Sequence, residues 1–130
     1  MLKTAKKLNF IAFILLPVTA SLSSLMAIEV DFIAVVTIFV INLIPISISS
    51  LCAYFLLKRS NSKLSIIASL LSPLALSFCS SFWYLMRVVN PVSGSPGIEY
   101  LALPQMLLIG AISFSFLSII VVLILEKNNQ

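Results

Sequence analysis

The stretch Phe32 to Leu57, FIAVVTIFVINLIPISISSLCAYFLL, runs for 26 residues without a charged side chain, and sixteen of those residues are Leu, Ile, Val or Phe. A helix needs about 20 apolar residues to cross roughly 30 Å of hydrocarbon, and each of these four types favours insertion by up to about 0.3–0.6 kcal/mol near the helix centre. The stretch is therefore read as a transmembrane helix. A core helix of a soluble protein would show a polar face with charges on it.

Working outward, the segment Lys58-Arg59-Ser60-Asn61-Ser62-Lys63 follows directly and is the one strongly polar run in the middle of the chain. Glu29 and Asp31 stand on the other side. Beyond these limits lie three more apolar stretches, Leu8 to Ile28, Leu64 to Met86 and Leu101 to Leu125, and all twelve charged residues of the chain fall outside the four. The composition agrees, with 61% hydrophobic and 9% charged residues, where soluble domains carry about 25% charge. The expected fold is all-α: one integral membrane domain over residues 1–130, with four antiparallel spans at about 8–28, 32–57, 64–86 and 101–125 in an up-down bundle.

Orientation follows from the basic residues. With the N-terminus in the cytoplasm, Lys3, Lys6, Lys7, Lys58, Arg59, Lys63 and Lys127 lie inside and Arg87 alone lies outside, as the positive-inside rule requires. Both termini are thus expected to be cytoplasmic, in the inner membrane of a bacterium. The net charge of +4 is spread over short clusters beside apolar runs, where it meets anionic lipid rather than nucleic acid. A rival reading takes Lys3, Lys6, Lys7 and the run Phe10 to Leu16 as a secretory signal peptide cleaved after Ala20 or Ala27. Val18 and Leu25 then occupy positions that prefer small residues, so an uncleaved first span is expected.

Outside, the link Arg87 to Tyr100 holds Asn90-Pro91 and Ser93-Gly94-Ser95-Pro96-Gly97 and reads as a loop. Trp83, Tyr84 and Tyr100 beside it, and Tyr54 at the other end, are expected at the membrane interface.

Fifteen of the nineteen serines lie within the spans. Hydrocarbon gives helices no hydrophobic reason to associate, so small and weakly polar residues mark the faces that meet. At 100° per residue Ser65, Ser69, Ser72 and Ser80 form one stripe of the third span, opposite Ile67, Leu71, Leu74, Phe78 and Phe82. The second span sets Asn42, Pro45, Ser49, Cys52 and Ala53 against Val40, Ile44, Leu51 and Phe55. The first offers Ala20, Ser24 and Ala27, and the fourth Ala111, Ser115 and Ser118.

Pro17, Pro45 and Pro73 recur at intervals of 28 and sit near the middle of their spans. Each removes the donor for a carbonyl four residues earlier, at Phe13, Ile41 and Ser69. Together with Asn42, Ser49, Ser69 and Ser72 they mark either a packing seam or a small midplane cavity of the kind transporters build from broken helices. Pro104 is expected in the first turn of its helix, where the missing donor costs little. Asn42 and Gln105 are read as hydrogen-bonding groups between helices. The first and third spans also align at an offset of 56, matching Pro17 with Pro73, Ser21 with Ser77 and Ser24 with Ser80, but the second and fourth do not.

No catalytic apparatus is legible. The chain has no histidine, its four carboxylates fall in links or tails, and its two cysteines, Cys52 and Cys79, differ in depth by about 14 Å. Neither metal nor cofactor is expected. In size and span count the chain is similar to the small multidrug resistance transporters, but Leu8 to Ile28 lacks the glutamate that marks their first helix. The expected function is therefore non-enzymatic contact with another membrane component, whether a membrane protein or a second copy of the chain, as a subunit, assembly factor or immunity-type inhibitor. The alternative is an oligomeric transporter or channel for a neutral or apolar solute.

Overall fold

The computed structural model describes residues 1–27, 31–89 and 96–128, with the side chains of Ala27 and of residues 96–99 left aside. Four helices account for nearly all of it: α1 Leu2–Ala27, α2 Phe32–Arg59, α3 Lys63–Val89 and α4 Pro96–Asn128. Each is long and apolar enough to cross a membrane.

Local chemistry fixes the ends. Asp31 caps α2, its Oδ1 accepting from the Ala34 N–H at 2.8 Å. Lys58 and Arg59 occupy the last turn of α2, where cations suit the carbonyl end of a helix. The hinge is shorter than the polar run that announces it, because only Ser60, Asn61 and Ser62 leave the helices. Its two serines divide the labour. Ser60 Oγ donates back to the Leu56 carbonyl at 2.7 Å, and Ser62 Oγ accepts from the Ser65 N–H at 3.2 Å as α3 begins. Asn61 N–H reaches Glu126 Oε1 at 3.0 Å, which ties the hinge to the end of α4.

The other link is also shorter than expected. α3 continues to Val89 and α4 starts at Pro96, so Arg87 and Tyr100 are helical. Proline at the first position of a helix is pre-organised, since its fixed φ is helical and its missing N–H would have no partner there. Asn90, Pro91 and the run Ser93 to Ser95 lie outside the described residues, as do Ile28 to Val30. The early start of α4 moves Pro104 from a first turn into the helix interior, beside Pro17, Pro45 and Pro73 in their helices. All four prolines are fully buried. The carbonyl that Pro104 deprives is that of Tyr100.

The helices form a lozenge in cross-section. α1 and α4 each pack on both α2 and α3, α2 also touches α3, and α1 meets α4 only marginally. Two apolar clusters sit at opposite ends: Ala5, Leu57, Ile66 and Leu70 near the hinge, and Leu16, Ala20, Ile38, Ile46, Leu76, Tyr84, Tyr100 and Ala111 away from it.

Candidate functional site

The interior is a polar seam that runs the length of the bundle. In α3 the buried positions include Ser65, Ser69, Ser72, Ser77, Ser80 and Ser81, while Ile67, Leu71, Phe78 and Phe82 are exposed. The expected division of the helix therefore holds except at Leu74, which packs with the hinge-side cluster. In α2, Asn42, Pro45, Ser49 and Ala53 are buried and Val40, Ile44, Leu51 and Phe55 exposed. Ala20 and Ser24 of α1 and Ala111, Ser115 and Ser118 of α4 also face inward.

Four groups of hydrogen bonds make up the seam. Nearest the hinge, Ser60 and Ser69 hydroxyls meet at 2.9 Å, and Ser69 donates to the Ser65 carbonyl at 2.7 Å. Midway, Ser72 lies 2.8 Å from Ser49 and 3.3 Å from Ser115, joining α2, α3 and α4, and Cys52 Sγ approaches the Ser115 carbonyl at 3.8 Å. Along α1, Ser77 donates to the Ala12 carbonyl at 2.8 Å and Ser81 meets Thr19 at 2.9 Å.

Farthest from the hinge, all four helices meet. Tyr84 Oη donates to Asn42 Oδ1 at 2.9 Å, and Asn42 Nδ2 donates to the Ile38 carbonyl at 2.8 Å. Ser23 Oγ donates to the Tyr84 carbonyl at 2.7 Å, which leaves the Tyr100 hydroxyl to donate to Ser23 at 2.6 Å. The two tyrosine rings stack with centroids 5.6 Å apart, and Trp83 sets an edge against Tyr84 at 5.3 Å. Such ring pairs contribute about 0.5–1.5 kcal/mol beyond their burial. Each hydrogen bond between membrane helices adds about 0.6 kcal/mol. The lock is strong by number, not by any single contact.

This arrangement turns two of the four aromatics expected at the membrane interface into the bundle. Tyr84 and Tyr100 are 0% and 1% exposed, and only Tyr54, at 42%, stands clearly at the surface. The signal was present: Tyr84 continues the serine stripe four residues beyond Ser80. Asn9 was likewise overlooked. Its Nδ2 donates to the Ser50 carbonyl at 3.1 Å, and it falls on the spacing Ala5, Asn9, Ala12, Leu16, Ala20 that extends the inward face of α1. Gln105, expected between helices, is exposed instead.

The residues expected at a packing seam or midplane cavity, Pro17, Asn42, Pro45, Ser49, Ser69, Ser72 and Pro73, are all buried, but they do not form one group. Ser49 and Ser72 touch, Asn42 joins the tyrosine lock and Ser69 joins the hinge. Pro17 lies between Ala12, level with Ser77, and Thr19, level with Ser81, whereas Pro73 adjoins Ser72 a turn away. The matched serines Ser21 and Ser77 also differ, since Ser77 bonds to α1 and Ser21 Oγ has no partner among the described residues. None of the grooves at Lys58, at Leu8 or at Asn9 is lined by these residues. The seam is built of hydroxyls, a carboxamide and two phenols bonded to one another and to backbone carbonyls, with Ser118 Oγ left without a partner among the described residues. It can hold helices in register, and it presents no acid and base pair.

Comparison with protein-family models, with characterised proteins and with solved structures finds no match to this chain.

Proposed function

We propose that the chain is an up-down bundle of four antiparallel spans in a bacterial inner membrane, both termini cytoplasmic, acting without catalysis by contact with another membrane component. The contacts support alternating direction. Asn9 near the start of α1 meets Ser50 late in α2, Ser49 meets Ser72, and Tyr84 late in α3 stacks on Tyr100 early in α4. The basic residues support the orientation, as argued above.

The observation that carries the functional reading is α4. Its exposed residues Gln105, Met106, Ile109, Ser113 and Phe116 lie on one stripe, and a methyl group placed on Gly110 would meet nothing within 4 Å. Gln105 has no side-chain partner among the described residues. A carboxamide facing hydrocarbon is costly unless another helix supplies its hydrogen bonds. On this reading α4 is the helix a partner covers, while the seam only holds the bundle together. The interior supports contact over transport, because Ser49, Ser69, Ser72 and Asn42 are committed to protein partners.

Crosslinking in intact membranes, followed by purification through a C-terminal tag and mass spectrometry, tests the proposal. A stoichiometric second protein, or a second copy, is expected, and the Gln105→Leu variant should recover several-fold less of it. A chain that crosslinks to nothing and carries a neutral solute into vesicles would replace this reading with the transporter. For the immunity version, deleting the gene should raise sensitivity to a pore-forming toxin.

A further inference from the structure

Between α1 and α2, on the hinge side, a groove of about 240 Å³ is lined by Lys6, Asn9, Phe10, Phe13, Ser50 and Tyr54. Two of its polar residues are more than nine-tenths buried, Asn9 at 8% and Ser50 at 9% exposure. Asn9 Oδ1 and Ser50 Oγ are closed to solvent and have no hydrogen-bond partner among the described residues. Because Asn9 Nδ2 is committed to the Ser50 carbonyl, the amide is held with its acceptor unfilled. Buried polar atoms are nearly always paired, so two orphans on residues that line one groove call for an outside group that donates to Asn9 Oδ1.

The surroundings say what kind of group. Lys6 is exposed at the rim, and Lys58 Nζ sits 4.5 Å from the centroid of the Tyr54 ring. Lys3 and Lys7 flank Lys6 on the same helical turns. Asn9 lies three residues beyond Lys6, about 4.5 Å along the helix axis toward the apolar stretch. A ligand that fits thus has an anion at the rim, a hydroxyl donor a few ångströms away, and an apolar body against Phe10 and Phe13.

We infer that this groove binds one phospholipid of the phosphatidylglycerol type, its phosphate at Lys6 and a glycerol hydroxyl donating to Asn9 Oδ1 while accepting from Ser50 Oγ. Charge complementarity selects an anionic lipid over a zwitterionic one. The orphaned pair selects a headgroup with hydroxyls over one without. Both orphan atoms are closed to solvent in the empty groove, so binding requires the lining side chains to shift, and Lys6 and Tyr54, both exposed, are free to do so. The inference needs α1 and α2 to cross a bilayer but not the protein partner proposed above, and it holds for either orientation of the chain.

The test is native mass spectrometry of the full chain released from detergent micelles, offered phosphatidylglycerol, phosphatidylmethanol or phosphatidylcholine. Phosphatidylmethanol carries the same charge as phosphatidylglycerol without the hydroxyls. One phosphatidylglycerol should be retained roughly five- to tenfold better than phosphatidylmethanol, the range expected for one or two added hydrogen bonds, and phosphatidylcholine least. Asn9→Leu and, separately, Ser50→Ala should bring the two anionic lipids toward equal retention. Lys6→Gln should lower both together and preserve their ratio. Equal retention of phosphatidylglycerol and phosphatidylmethanol by the native chain would reduce the site to charge attraction and overturn the inference. So would a ratio that survives in Ser50→Ala and in a folded Asn9→Leu. Failure of the partner proposal would appear in the crosslinking experiment and leave these ratios unchanged.

Discussion

α3 and α4 are both long enough and apolar enough to span a membrane, yet more than half of the apolar stretch of α3 is buried and less than a quarter of that of α4. The difference lies in how each helix distributes its small residues. α3 gathers six buried serines on one side and keeps Ile67, Phe78 and Phe82 on the other. α4 has a narrow inward line, Tyr100, Pro104, Ala111, Ser115, Ser118 and Val122, with large apolar side chains over the rest of its circumference. Hydropathy alone identifies both as spans. Only the angular placement of serine separates the helix that organises the bundle from the helix that borders it.

The largest expected contrast is in side-chain truncation. Tyr84→Ala removes the ring that stacks on Tyr100 and the hydroxyl that bonds Asn42, and should cost about 3–5 kcal/mol of stability in detergent unfolding. Phe116→Ala on the exposed face of α4 should change stability by no more than about 0.5 kcal/mol. Equal losses would show that α4 has an intramolecular role the contacts miss.

Overpacking gives a second contrast. Ser72→Leu forces a larger side chain between Ser49 and Ser115, with an expected cost of about 1–3 kcal/mol, whereas Ser113→Leu should be nearly silent. A smaller effect isolates one hydrogen bond. Tyr84→Phe leaves Asn42 Oδ1 without its donor and should cost roughly 0.6–1.7 kcal/mol, the range for polar contacts between membrane helices. The smallest effect on stability belongs to Gln105→Leu, within about 0.5 kcal/mol, and it should instead lower the yield of the crosslinked partner. If Gln105→Leu destabilises the isolated chain as much as Tyr84→Phe does, the residue serves the bundle and not a partner.

Much of this was legible in the sequence, for a physical reason. A chain in hydrocarbon has few ways to satisfy its backbone, so charge-free stretches of about 20 residues translate almost directly into helices. The inward faces of α2 and α3 were also legible, because serine against Leu, Ile and Phe is a strong contrast. What stayed hidden were residues whose chemistry permits two homes. A tyrosine near a helix end suits either the interface or a buried hydroxyl network, and only the Ser23, Asn42 and Tyr84 contacts decide for the latter. Pro104 was misjudged because the start of α4 was set at the first apolar residue, whereas Pro96 begins the helix earlier. The groove at Asn9 could not be read at all, since it depends on which atoms of Asn9 and Ser50 remain unpaired once α1 and α2 are packed.

The most direct test of the proposed division between a helix that organises and a helix that is covered is photocrosslinking from single sites in intact membranes. A photoreactive residue placed at Ile109 of α4 should give one discrete adduct that Gln105→Leu diminishes, and the same probe at Phe78 of α3 should give only lipid. Indistinguishable lipid labelling from both sites would contradict the account, because α4 would then be bare and contact with a partner would lose the observation that carries it.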